Sequence, residues 1–400
     1  MTSHSGRWTL EDRLEQGLRE LPFDVPPGTA SITVELSHEG GVIDLGCHGP
    51  SGFRGWSGGA RRAFTVAADW ATPGYLPGEP EPGIWHVWLG LHRIPPGGTP
   101  YEVTVTTSTV PPDAPDAPPP PPRPARPPRR ALPAPAGTRW LAGDLHSHTV
   151  HSDGTLTVHE LACLAAGRGL DFLAVTDHNT VSHHPLLPAA GAHAGVLLLP
   201  GQEVTTDLGH ANVFGDTGWI DFRRPSADWA AAAAGNGGLM SINHPLSGDC
   251  AWRRPLPEED RPPFVEIWHS SWWDRTWGAP LAWTDLWLPG GGAVPLGGSD
   301  FHDPAQHKTL GEPTTWVLAE DDDVLGALAA GRTSVSADPG APVLLRVEDD
   351  LIAIGADGTV VVRPDGRRVA VRGDHVRIPA GGPGMHRLET SVNEVIALCG

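Results

Sequence analysis

The sequence predicts an α/β protein built around a β/α barrel, with an N-terminal β-sandwich and a small C-terminal β appendage. Three observations predict it. Segments alternating with period two fill residues 1–110, a proline-dense stretch occupies 111–137, and strand-like and helix-like segments alternate through 138–340. Short strand-like runs return in 341–400. These ranges are the expected domains: sandwich, linker, barrel and appendage.

In the first region, residues 8–20 suit one short helix. Ser31–Leu36, Ile84–Leu89 and Tyr101–Thr107 then alternate apolar and polar residues between Gly/Pro clusters, as strands of an antiparallel sandwich do. Half the residues from Pro111 to Ala136 are proline. Such a segment favours polyproline II and builds no core of its own; it either spans about 80 Å when extended or wraps against the barrel.

In the third region the strand candidates are Trp140–His146, Phe172–Thr176, Val196–Glu203, Ala211–Phe214, Leu239–Asn243, Val265–Trp268, Val294–Gly298 and Thr315–Leu318. Helix candidates begin at Thr157, with Glu160 completing a capping box, and cover Ala227–Ala234 and Asp321–Ala330. Apolar strands alternating with helices imply a parallel sheet, closed as a barrel. In the last region Val343–Val347, Thr359–Val362 and Val369–Arg372 read as strands, with Asp-Gly turns at 357–358 and 365–366.

The totals narrow the function. The chain carries 28 basic against 47 acidic residues, net −19 with His neutral. That disfavours duplex nucleic acid and anionic membranes as partners; it leaves room for a small-molecule substrate, even an anionic one, because bound divalent cations can dominate the local field. Four cysteines without C-x-x-C spacing suggest neither a disulfide framework nor a thiolate metal site. The polar start lacks a signal-peptide core and no run is long enough to span a membrane, so a cytoplasmic protein is expected, of unspecified oligomeric state.

The chemistry gathers where strands end. His146 and His148 are two apart, on one face of a strand, so both imidazoles can reach one cation; Asp153 follows in a Ser/Asp/Gly turn. Asp177-His178, Glu203, His244 and Asp300 with His302 each stand at the C-terminal end of a predicted strand, the face where catalytic groups of β/α barrels converge. Core packing favours Val, Ile or Leu there, and buried ionisable groups are costly unless paired or bound to metal. Imidazoles and carboxylates without thiolates suit Zn²⁺, Mn²⁺ or Fe²⁺.

Taken together, His146-Ser147-His148 with Ser152-Asp153-Gly154, Thr176-Asp177-His178, Gly201-Gln202-Glu203, Asn243-His244-Pro245 and Ser299-Asp300-Phe301-His302 resemble, in this order, the motifs of the PHP (polymerase and histidinol phosphatase) superfamily of metal-dependent phosphoesterases. The resemblance covers about residues 139–340, and the branch it most resembles includes carbaryl hydrolase-like proteins. It implies a distorted seven-stranded β/α barrel holding two or three divalent ions. Carried over by motif, the implied ligands are His146, His148, Asp153, His178, Glu203, His244, Asp300 and His302, with His210 from Gly209-His210-Ala211-Asn212.

The implied activity is hydrolysis by a metal-bridging hydroxide, acting on a small phosphate ester or nucleotide. Asp300 or His302 would take a proton and His244 would protonate the leaving group. His269, Lys308, Arg253 and Arg254 are the candidate substrate contacts. Two alternatives stand beside this reading: a carbamate, ester or amide hydrolase with an aryl substrate, and a non-catalytic binding protein. Seven tryptophans between Trp252 and Trp287 offer an aromatic wall for a nucleobase or an aryl leaving group, or core packing. His151, His159, His183, His184 and His193 lack a strand-end position and are expected in solvent.

Overall fold

The computed structural model describes residues 1–110, 112–116, 118–270 and 281–400. The chain forms two compact units: Met1–Pro120 with Thr149–Thr157 and Asp177–Pro185, and Pro121–His148 with Val158–Thr176 and Leu186–Gly400.

The first unit contains two four-stranded antiparallel sheets. One orders Thr2–Trp8, Thr99–Ser108, Ser31–His38 and Ala63–Ala67; the other orders Leu18–Val25, Gly83–Arg93, Val42–Gly49 and Gly52–Gly58. Alternation buries one set of side chains between them, including Ile32, Val34, Leu45, Trp85, Val87, Leu89 and Val103. The helix expected over 8–20 is shorter. It runs Leu10–Glu15 from a Thr9 capping box, and Leu18–Val25 is instead a strand. Gly17 and Pro22 are poor helix formers, and Phe23 and Val25 gain burial in the sheet.

In the second unit the expected strands appear within a few residues. Thr138–Asp144, Phe172–Val175 and Leu197–Thr206 are parallel neighbours, as are Leu239–Ile242, Phe264–His269 and Val294–Gly298. The sheet is mixed rather than parallel. Gly209–Phe214 runs antiparallel to both its neighbours because only Asp207 and Leu208 separate it from Leu197–Thr206, too short a link for a crossover. Thr314–Glu320 is also antiparallel, against Thr138–Asp144.

Among the described residues no backbone ladder closes this sheet into a barrel. Between Val294–Gly298 and Thr314–Glu320 the Thr315 hydroxyl lies 2.7 Å from the Gly297 N–H and 2.9 Å from its carbonyl. The sheet continues through Thr333–Ser336 into Val395–Cys399, His386–Glu389, Val360–Val362 and Arg368–Ala370, so much of the C-terminal region extends it. From Pro121 the proline segment belongs to this unit. Arg126 and Arg129 bind the Asp171 carboxylate at 2.6 and 2.7 Å, so this part wraps rather than extends freely.

Candidate metal centre

Local chemistry explains how the second unit presents its polar strand ends. Asp144, fully buried, accepts from the backbone N–H groups of His146 (3.1 Å), Ser299 (3.0 Å) and Gly311 (2.8 Å). It thereby ties the end of the Thr138–Asp144 strand to the loop carrying Asp300. Burial raises its carboxyl above the usual range, against those hydrogen bonds. His244 and Asp300 sit in left-handed backbone, φ 26° and 51°, just past their strands. Such conformations are costly for non-glycine residues and cluster where function demands them.

Three sets of side chains in this unit bring ligand atoms within 4.8 Å of one another: His146, His148, Glu203 and Asp300; His146, His244, Glu266 and His269; Glu203, His210 and His244. His146 Nε2 lies 3.3 Å from both Glu203 Oε2 and Asp300 Oδ1, and His148 Nε2 lies 3.4 and 3.1 Å from the same two oxygens. His210 Nδ1 and His244 Nε2 approach Glu203 Oε1 at 3.0 and 3.4 Å, and His269 Nε2 approaches Asp300 Oδ2 at 3.3 Å. His302 stacks on His148, ring centroids 4.1 Å apart. Donor atoms about 2.1 Å from a shared cation in tetrahedral array stand about 3.4 Å apart. The observed separations match that spacing. The buried nitrogens His146 Nε2 and His244 Nδ1 have no hydrogen-bond partner among the described residues.

The electrostatics agree. Burial pulls the His146 imidazole down, but Glu203, Glu266 and Asp300 outweigh it and hold it well above its ordinary value. Burial raises Asp300, yet His146 and hydrogen bonds from His148 and His269 leave its carboxyl well below the usual range. The cluster thus stabilises positive charge at its centre, whether carried by a proton on His146 or by a metal ion. Its imidazole and carboxylate donors fit a divalent ion.

Glu266 was not legible as a site residue, and Asn243 was so only as part of the Asn243-His244-Pro245 motif, though both carry the geometry. Glu266 accepts from His146 Nδ1 at 2.9 Å and from the His244 backbone N–H at 2.8 Å, fixing which nitrogen His146 turns to the cluster. Its signal was a charged residue inside the apolar run Phe264–His269, every residue of which is buried. Asn243 donates to Glu203 Oε1 at 2.9 Å.

The candidate substrate contacts separate. His269 is buried among the ligand-capable groups. Lys308 Nζ donates to Asp300 Oδ2 at 2.6 Å. Arg253 instead donates to the Asp207 carbonyl, and Arg254 to Thr206 Oγ1 with its guanidinium over Trp229. Trp252, Trp268 and Trp287 are buried, and Trp283 stacks on Trp287 at 5.1 Å, which is core packing. Trp272, Trp273 and Trp277 lie outside the described residues.

The remaining motif residues lie in the first unit, where Asp153 Oδ1 stands 3.5 Å from His178 Nε2. Asp177 is buried and accepts from Thr149 N (2.8 Å), Thr149 Oγ1 (2.6 Å) and Ser152 Oγ (2.6 Å). His151 and His183 are buried too, contrary to the solvent exposure expected of them. The Ser182 hydroxyl holds His151 at 2.8 Å, and Asp177 faces His183 at 3.2 Å.

No family model matches the chain. It is 36% identical over 64 residues to a 5'-3' exoribonuclease of Haemophilus influenzae, covering 16% of this chain and 23% of that protein. It is 40% identical over 70 residues to a 3',5'-nucleoside bisphosphate phosphatase of Chromobacterium violaceum, covering 18% and 25%. The chain spans about a quarter of the length of the curated relatives it matches. Among solved structures, a two-domain protein from Bacteroides vulgatus containing a predicted PHP-like metal-dependent phosphoesterase aligns over 69% of this chain and 91% of its own, at TM-score 0.43 and 18% identity. No helix among the described residues is long and apolar enough to cross a membrane.

Proposed function

We propose that this protein is a metal-dependent phosphoesterase acting on a small phosphate ester or nucleotide. One observation carries the proposal: buried His146, His148, Glu203 and Asp300 converge donor atoms at the spacing of a shared cation. The donor set suits two or three ions of Mn²⁺, Zn²⁺ or Fe²⁺. The ligands are His146, His148, Glu203, His210, His244 and Asp300, with His269 added on geometry; His302, a ligand by motif, is left for proton transfer. The motifs add Asp153 and His178, whose pairing at 3.5 Å supports that assignment. Bound divalent ions supply an activated water and stabilise charge on the oxygen under attack.

The protein's own groups divide the remaining work. Asp300 is held ionised, which makes it a weak base and a good ligand. Burial, with His269 and His210 nearby, lowers His244 despite its bond to Glu203; a neutral imidazole ligates better than it donates a proton. The proton-accepting role therefore falls to His302. Its Nδ1 donates to the Asp300 carbonyl at 2.8 Å, leaving Nε2 as the basic nitrogen. Lys308, beside Asp300, is the cation placed to meet a phosphate oxygen.

The tethering of Arg253 and Arg254 to neighbouring backbone and side chains favours a second reading, attack on an aryl carbamate or ester. Elemental analysis followed by parallel assays on aryl phosphates, nucleotide phosphates and aryl carbamates separates the two. Phosphate release that is lost in Asp300→Asn supports the first. Metal-replete protein inert to every phosphate refutes it.

A further inference from the structure

We propose that the N-terminal sandwich sets the loops that carry Asp153 and His178, and that Arg61 and Gly74 are positioning residues for those two side chains. The inference rests on the reading of those two residues as ligands. Arg61 leaves the turn after the Gly52–Gly58 strand and forks onto the loop before Asp153: its Nη1 donates to the Ser152 carbonyl at 3.1 Å and its Nη2 to the Val150 carbonyl. Five fixed donors on a planar head let arginine hold two such acceptors at once.

The segment after His178 is fastened to a second point of the sandwich. Thr180 Oγ1 donates to the Gly74 carbonyl at 2.9 Å, and the Gly74 N–H donates to Ser182 Oγ at 3.0 Å. Ser182 Oγ also meets His151 Nδ1, which joins the two loops to each other. Gly74 has φ +100°, and a Cβ there would stand 2.9 Å from the His151 and Trp56 carbonyls, so only glycine fits. Both loops thus take their shape from residues that precede them by about a hundred positions. Neither loop has a regular element of its own to hold it.

Stabilisation alone would leave metal binding untouched; positioning would not. The test is Mn²⁺ titration of the full-length wild type, Arg61→Met, Arg61→Lys, Ser182→Ala and Asp153→Asn, with circular dichroism as the folding control. Arg61→Met and Ser182→Ala should weaken, about 10–100-fold, the same Mn²⁺ that Asp153→Asn loses, while the other equivalents bind as in wild type. Arg61→Lys, with one compact ammonium, should fall between. If Arg61→Met fails to fold, Ser182→Ala carries the test. Wild-type affinity and stoichiometry in Arg61→Met and Ser182→Ala overturn the positioning role. Wild-type binding by Asp153→Asn instead overturns the ligand reading beneath it.

Discussion

Glu266 offers the sharpest test of the metal centre, because both its oxygens are engaged by groups of the cluster. Both its oxygens are acceptors, one for His146 Nδ1 at 2.9 Å and one for the His244 N–H at 2.8 Å. Glu266→Gln keeps the shape but offers one acceptor oxygen, so one of the two donors must face an amide NH₂. A buried hydrogen bond to a charged group is worth about 1.5–3 kcal/mol. Losing orientation at a ligating histidine costs about 10–100-fold in metal affinity, or about 1.4–2.7 kcal/mol. The two figures agree, so Glu266→Gln should bind Mn²⁺ or Zn²⁺ about 30-fold more weakly than wild type while remaining folded. Competition against a chromophoric chelator measures this, with far-UV circular dichroism as the control. Affinity within about twofold of wild type would refute the claim that Glu266 sets the His146 ring.

Four further outcomes follow from the same contacts. Burial lowers the His151 imidazole to about 4 from 6.5, so its contribution to stability is complete above pH 6.5 and is lost as pH falls toward 4. The gap is worth about 3 kcal/mol, and His151→Gln should flatten that part of the urea-midpoint profile of metal-free protein. Gly298→Ala would place a Cβ 2.1 Å from Glu266 Oε1 and 2.5 Å from the His146 Cβ, and should cost about 1–3 kcal/mol together with metal binding, read by thermal melting and elemental analysis. Because His146 is held protonated by its carboxylates, metal uptake near neutral pH should release about one proton, seen by calorimetry in buffers of different ionisation enthalpy. Burial pushes the Cys47 and Cys399 thiols up to about 12, so iodoacetamide at pH 8.5 should label neither until urea unfolds the chain, as peptide mass mapping would show.

The strand ends were legible because two codes coincide there. Apolar runs such as Phe172–Val175 and Val294–Gly298 have strand length and composition, and each gives way abruptly to His or Asp. A buried sheet has no packing use for those side chains, so the break in pattern marks chemistry. The same reasoning located His146, His148, His244 and Asp300; Glu203, expected at a strand end, lies three residues inside Leu197–Thr206, and the fold gathers all five into overlapping ligand-capable groups. It passed over Glu266 because a single carboxylate inside Phe264–His269 was treated as part of the strand rather than as a break in it. His269, at the end of that strand, was read as a substrate contact; the fold buries it with its Nε2 3.3 Å from Asp300 Oδ2.

What stayed illegible was set by contacts distant in sequence or by chain reversal. The antiparallel course of Gly209–Phe214 follows from a two-residue link, whereas its composition suits either direction. The burial of His151 and His183 depends on a hydroxyl and a carboxylate supplied by Ser182 and Asp177, and on the Arg61 fork that fixes the backbone on either side of His151. Period and propensity describe one segment at a time, so a loop without either gave no sign of where it would be held. Yet the loops' content was informative: Thr149, Ser152, Asp177, Thr180 and Ser182 are short polar side chains suited to bonding backbone and each other. A stretch rich in such groups beside a ligand motif is better read as a rigid cradle awaiting an anchor than as a solvated turn. Here the anchor is Arg61 of the sandwich, whose guanidinium holds the Val150 and Ser152 carbonyls just before Asp153.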